Sequence, residues 1–109
     1  MRNKIQVTGS SSHNLHVRTP GRYAMDIAIE ILKFLDEQEN IIVKNTGWKD
    51  GFGLEVGSWL PIKSANLQAE LSTDGDELQI RRVSGSIGDF EELHQDIQEF
   101  IRNDLPPDV

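Results

Sequence analysis

The sequence predicts an α+β fold, an antiparallel β-sheet meander with two helices packed on one face. Two long segments place apolar residues at helical spacing, several short segments alternate apolar and polar residues, and turn motifs join the short segments. The predicted order is β(β)-α-β-β-β-β-α, since consecutive strands joined by short turns pair as antiparallel neighbours. No linker divides the 109 residues, and we expect one domain over residues 1–109.

The first two strands are predicted from two alternating pairs. Ile5 and Val7 alternate with polar neighbours, and Leu15 and Val17 repeat the pattern. The stretch TGSSSHN, residues 8–14, has the composition of a turn. A hairpin is therefore expected.

A long helix is predicted over residues 23–39. Thr19 can cap it, and Pro20 suits a first helical turn, where the missing proline N–H has no intrahelical partner. Asn40 suits its end. The apolar stripe is so wide that the sheet and the second helix must cover it. It comprises Ala24, Ile27, Ala28, Ile31, Phe34 and Leu35, widened by Met25, Ile29 and Leu32.

Two strands are predicted next. The β-branched run IIVKN gives one over residues 41–45. The second is expected over 52–62, because apolar residues alternate there for eleven positions, with a bend at the glycines. One face carries Phe52, Leu54, Val56, Ser58, Leu60 and Ile62, and the other carries Gly53, Glu55, Gly57, Trp59 and Pro61.

A second hairpin follows. Its strands cover residues 67–72 and 77–83, and the turn signal TDGD at 73–76 joins them. Val83 breaks the alternation, which indicates a bulge near Arg81–Arg82.

The last element is a helix. Ser86 or Asp89 can cap it, because each is followed three residues later by an acid. Its apolar stripe comprises Phe90, Leu93, Ile97, Phe100, Ile101 and Leu105. The predicted core of the whole domain is Ile5, Val7, Ile27, Ile31, Leu54, Val56, Leu71, Ile80, Phe90, Leu93, Ile97 and Phe100.

In element order, the chain is similar to the TATA-binding-protein-like and helix-grip folds, which also run β–α–β4–α. The resemblance covers nearly the whole chain as element order and carries over no functional residue.

Composition limits the cellular locations and partners that we expect. The chain has no cysteine, no apolar run of membrane-spanning length and no apolar signal segment at its start. We therefore expect a cytoplasmic protein without a membrane partner. The net charge of −7 is unevenly distributed, because residues 1–22 carry +4 and residues 23–109 carry −11. Non-specific duplex DNA binding by the acidic body is not expected.

The stretch TGWKDGFGLEVGSWLPI, residues 46–62, holds two tryptophans and four glycines. A phosphate-binding loop needs such glycines at a strand-to-helix turn, whereas strand alternation runs through these. Strand glycines are therefore expected. Trp59 is then either an exposed anchor for a partner or a cover over bare glycine backbone, and Trp48 is either a lid on the core or a second anchor.

Catalytic chemistry has little support in the sequence. His13 and His16 are predicted in a loop and a strand, where side chains three apart point to opposite faces, and the motif at Glu91 and His94 occurs once. No Gly-x-Ser-x-Gly motif is present. We predict no catalytic residue, metal or cofactor, and no enzyme.

Two charged surfaces remain as candidate sites. The last helix has more acids than its N-terminus needs, and they form an acidic ridge of Asp89, Glu91, Glu92, Asp96, Glu99 and Asp104. A basic hairpin is the other surface, suited to an anion, and consists of Arg2, Lys4, His13, His16, Arg18 and Arg22.

The predicted function is a non-enzymatic protein-binding module of the inhibitor, immunity or anti-defence kind. Its expected partner is a protein with a basic surface, bound through Trp59, Trp48, Glu91, Glu92, Asp96 and Glu99. Nucleic acid is not an expected partner, and its one expected connection is that the acidic surface mimics a nucleic acid. A homodimer is left open. The alternative is a receptor for a nucleotide or other anion at the basic hairpin. A third hypothesis is a metal-dependent enzyme that uses His13, His16 and His94.

Overall fold

The computed structural model describes residues 5–11, 13–19, 23–43 and 48–104, except the side chains of residues 48–50. In chain order its strands and helices are β1 (Gln6–Ser10), β2 (Asn14–Arg18), α1 (Ala24–Asp36), β3 (Ile41–Val43), β4 (Leu60–Ser64), β5 (Leu67–Asp74), β6 (Glu77–Gly85) and α2 (Ile87–Asn103). A 3-10 helix (Trp48–Gly53) lies between β3 and β4. The predicted α+β class and element order are confirmed.

The six strands form one antiparallel sheet in the order β1-β2-β6-β5-β4-β3. Strands β3 to β6 are a meander, and the β1–β2 hairpin pairs with β6 through register contacts such as Leu15 with Ile80. The predicted bulge is confirmed, because Gln68 pairs with Ser84 and Ala69 with Arg82, which leaves Val83 as the extra residue. Helix α1 therefore connects the hairpin to the opposite edge of the sheet.

Both helices lie on one face of the sheet, and no helix of the described residues lies on the other face. Alternate strand residues, such as Val17, Ile62 and Leu71, point toward the helices and are buried, while their neighbours face away. Phe34 of α1 stacks on Phe100 of α2, with ring centroids 4.7 Å apart. Of the twelve predicted core residues, nine are buried: Ile27, Ile31, Leu54, Leu71, Ile80, Phe90, Leu93, Ile97 and Phe100. Ile5 is half-buried against this core.

The expected long strand over residues 52–62 is wrong for its first eight positions. Gly51, Phe52 and Gly53 have φ of 60°, 57° and 70°, and Gly57 has φ of 81°. These left-handed conformations are incompatible with a strand, so the chain turns there, and β4 begins at Leu60. The turn still buries Phe52 and Leu54, while Val56 is 56% exposed and is not core.

Three smaller predictions also need correction. Val7 is 39% exposed, because it lies on edge strand β1 beyond the cover of the helices. Helix α1 begins after Tyr23 and not after Thr19, whose hydroxyl instead donates to the carbonyl of Asp76. The same helix ends at Asp36, before the predicted end at Glu39. Pro20 and Leu105 lie outside the described residues.

The β5–β6 turn is a contact point for distant parts of the chain. The carbonyl oxygen of Gly75 accepts from the N–H of Ala24 at 3.0 Å, and that of Asp76 accepts from the N–H of Thr19 at 2.7 Å. Arg18 also contacts the Asp76 carboxylate, at 3.3 Å. This turn therefore holds both the end of β2 and the start of α1. Neither helix has the length and apolar character needed to cross a membrane, within the residues that the structure describes.

Candidate functional site

Helix α2 begins at a capped N-terminus, which fixes the faces that its side chains occupy. The N-cap Ser86 accepts a hydrogen bond from the N–H of Asp89 at 3.1 Å, as one of the two predicted caps requires. Phe90, His94 and Ile97 then face the sheet and are buried. Residues three and four apart share a helix face, so Asp89, Glu92 and Asp96 form a separate stripe beside them.

This stripe lines a groove of about 330 Å³ between α2, the residues after α1 and the β4–β5 turn. Leu93 of α2, Ile62 of β4 and Leu67 of β5 are buried and give it an apolar floor. Gln38 and Asn40, which follow α1, add polar groups to the far wall. The remaining lining residues are Ile41, Lys63, Ser64, Ala65 and Asn66.

The charges of the groove are predominantly negative. Asp89, Glu92 and Asp96 make no ion pair within the described part of the chain, and Lys63 is the one cation among the described lining residues. Along the helix axis the three acids are spaced by about 4.5 and 6 Å. Such a row of carboxylates over an apolar floor can hold a cation that carries an apolar stem.

The predicted acidic ridge is therefore divided by the structure. Glu92 and Asp96 line the groove, whereas Glu91 and Glu99 are exposed on α2 outside it. Helical spacing in the sequence was enough to place Glu92 and Asp96 together. Gln38, Asn40 and Asn66 were missed, since no local pattern indicates that the segment after α1 and the β4–β5 turn meet α2.

Trp59 lies on the other face of the sheet. The guanidinium carbon of Arg81 sits 3.8 Å from the centre of its ring, and Arg81 also forms an ion pair with Glu70. Neighbours of Arg81 and Glu70 in their strands point toward the helices, so this trio occupies the helix-free face. Trp59 and the acidic stripe of α2 are thus on opposite sides of the sheet. The side chain of Trp48 lies outside the described residues.

Arg81 covers part of Trp59, which is half-buried. A guanidinium over an indole face is a favourable cation–π contact, and the Glu70 carboxylate fixes the guanidinium from the side. Arg81 thus covers one face of the Trp59 indole. The expected cover over strand glycines does not arise, because Gly53 ends the 3-10 helix and Gly57 lies in a turn.

The basic hairpin is partly neutralised by neighbouring acids. Arg18 contacts Asp76 at 3.3 Å and Glu77 at 3.8 Å. His13 Nδ1 lies 3.2 Å from a guanidinium nitrogen of Arg82, and His16 is half-buried opposite Gly9. Of the other predicted anion-binding residues, Arg2, Lys4 and Arg22 lie outside the described residues.

The three histidines of the metal hypothesis do not form a ligand set. Across the described ranges, no group of three His, Cys, Asp or Glu side chains is placed to hold a metal ion. His94 is buried in the helix–sheet interface, with its ring 4.2 Å from that of Phe90. Burial lowers the pKa of His94 below 6.5, and the charge of Glu91 opposes part of that shift.

Comparison with protein-family models, curated proteins and solved structures finds no match for this chain.

Proposed function

We propose that this protein is a non-enzymatic binding module whose groove beside α2 takes a basic segment of a partner protein. The observation that carries this proposal is the row formed by Asp89, Glu92 and Asp96, whose carboxylates have no ion-pair partner within the described residues and stand over an apolar floor. A solvated acidic face needs no such floor. A lysine or arginine side chain uses an apolar floor, because its methylene stem gains from apolar contact while its charged head pairs with a carboxylate.

The dimensions of the groove agree with this occupant. Ligand sites begin at about 300 Å³, and this groove has about 330 Å³. That volume suits one or two long side chains better than a folded element. Gln38 and Asn40 on the far wall offer amide oxygens to the remaining guanidinium or ammonium protons.

The charge of the whole chain supports the same kind of partner. At −7, it attracts a basic protein from a distance and speeds their encounter at low salt. An inhibitor of a basic protein fits this description, since occupying a basic surface blocks whatever that surface binds. The inhibitory role and a cytoplasmic location are parts of this proposal.

A labelled peptide of alternating arginine and leucine, compared with its glutamate counterpart, tests the groove. We expect fluorescence anisotropy to show binding of the arginine peptide alone, weakened by added salt. The variant Glu92→Lys/Asp96→Lys should bind at least about tenfold more weakly, because two carboxylates of the groove become cations.

The matched control is Glu91→Lys/Glu99→Lys, which changes the net charge equally but outside the groove. It should lose no more than about threefold in affinity, through long-range attraction alone. Equal losses in the two variants would show that total charge, and not the groove, determines binding, and the proposal would fail. Circular dichroism must show that both variants are folded.

A further inference from the structure

Edge strand β1 is joined to α2 through one polar contact at its C-terminal end. Ser10 Oγ lies 3.2 Å from Nδ1 of His94. Of the described strands, β1 pairs with β2 alone, and its ladder is interrupted by an irregularity between Val7 and Gly9. Within the described residues, the Ser10–His94 contact is the one side-chain hydrogen bond that links β1 to a helix.

The imidazole of His94 is buried but incompletely satisfied. The residue is 3% exposed, and its Nε2 has no hydrogen-bond partner in the described structure. Phe90 packs against the ring and offers no strong acceptor. A neutral imidazole tolerates this position, because only one of its nitrogens carries a proton and either tautomer can bond to the Ser10 hydroxyl.

Protonation changes this balance. Both ring nitrogens then become donors, and the positive charge has no acceptor at Nε2. Among the described residues, Glu91 on the same helix is the charge that favours the imidazolium. Strand β1 has no ionisable side chain, and at this end of the sheet the hairpin and β6 contribute His13 and Arg82, which contact each other. The imidazolium of His94 therefore requires a water molecule as the acceptor for its Nε2–H.

We infer that the Ser10–His94 contact is an acid-sensitive latch, which holds edge strand β1 against α2 at neutral pH and releases it when His94 is protonated. Strand β1 is the part that moves, because among the described strands it pairs with β2 alone and its residues from Gln6 to Thr8 are exposed. Release admits water to the imidazole and uncovers the outer edge of β2 for pairing with another strand.

The sign of the pH dependence follows from burial. In the closed state the pKa of His94 lies below its ordinary value of 6.5, so the open state binds the proton more readily. The latch is therefore fully stable above that value. Its stability falls as the pH drops below 6.5, until the lowered pKa of the closed state is passed.

Amide hydrogen exchange of the whole chain, measured by NMR at about pH 7.5 and about pH 5 and corrected for intrinsic rates, tests the latch. We expect the protection of the β1 amides to fall by about twofold or more on acidification. Amides of α1 should stay at least about tenfold more protected than those of β1 at both pH values, because they open only with the whole domain.

Three variants make the test specific to one histidine. His94→Gln should abolish the pH response of β1, since glutamine does not titrate, while His13→Gln and His16→Gln should retain it. Ser10→Ala should lower the protection of β1 at neutral pH. The inference is overturned if β1 protection in the wild type is independent of pH. It is equally overturned if β1 and α1 show the same protection, which is a single global opening, or if His94→Gln keeps the response.

Discussion

Phe52 combines full burial with a backbone conformation that costs energy. Its φ of 57° lies in the left-handed region, as do the φ angles of the two flanking glycines, Gly51 and Gly53. The side chain of Phe52 is 1% exposed. A left-handed non-glycine residue persists only where surrounding packing compensates for the strain. Here the buried ring provides that compensation, and the 3-10 helix is fastened to the core through it.

The two flanking glycines should therefore be intolerant of a side chain. Gly53→Ala places a Cβ on a residue with φ of 70°, and we expect a loss of about 1–2 kcal/mol in the free energy of unfolding. Gly88→Ala, in the first turn of α2, is the matched control and should be neutral or stabilise by up to about 1 kcal/mol. Urea denaturation measures both. Equal changes in stability for the two variants would mean that the left-handed backbone conformation is not the reason for glycine at position 53.

The same turn shows where sequence reasoning fails at the scale of single residues. Phe52 and Leu54 alternate with glycine and glutamate as in a strand, and both are buried as expected. Alternation reports which side chains are buried, but a left-handed turn can bury the same two residues. The sequence indicates that Trp59 is an anchor or a cover, yet its partner Arg81 belongs to a strand that is not adjacent to β4, and no local pattern pairs them.

At the scale of elements, periodic patterns predicted most of the fold. Helices α1 and α2, both hairpins and the bulge at Val83 were predictable, because each depends on interactions between near neighbours in sequence. The groove was predictable in part. The spacing of Glu92 and Asp96 indicated one wall, but the opposite wall depends on how α1 and the β4–β5 turn approach α2.

The N-cap of α2 allows a test at this scale. Ser86→Ala removes the acceptor for the N–H of Asp89, and we expect a loss of about 1 kcal/mol in stability. Ser84→Ala is the control, since Ser84 is exposed on β6. Chemical denaturation should distinguish the two variants. Similar losses would indicate that the cap contributes nothing beyond ordinary side-chain effects.

At the scale of the whole molecule, negative charge is in excess and concentrated on one helix. Six acids within residues 89–104 face one base, Arg102, and none of the six forms an ion pair in the described structure. Mutual repulsion of this kind disfavours the compact state. The fold therefore retains an unfavourable electrostatic contribution, which a basic partner would relieve on binding.

Screening should reveal that contribution. Raising NaCl from about 0.02 M to about 0.2 M shortens the Debye length, and we expect Tm to rise by a few degrees. Glu92→Gln/Asp96→Gln/Glu99→Gln should start from a higher Tm and respond less, because three like charges are gone. Differential scanning calorimetry at neutral pH measures both proteins. A falling Tm in the wild type would show that attractive pairs outweigh the repulsion.

The pairing of β2 with β6 has a consequence for the newly made chain. Asn14 meets Arg81 in this ladder, and the turn that holds Thr19 and Ala24 is formed by Gly75 and Asp76. Such distant contacts slow folding, because a long loop must close before they form. During synthesis, the β1–β2 hairpin and α1 are translated before β6 exists. The apolar faces of the hairpin and of α1 therefore stay uncovered until β6 has been translated.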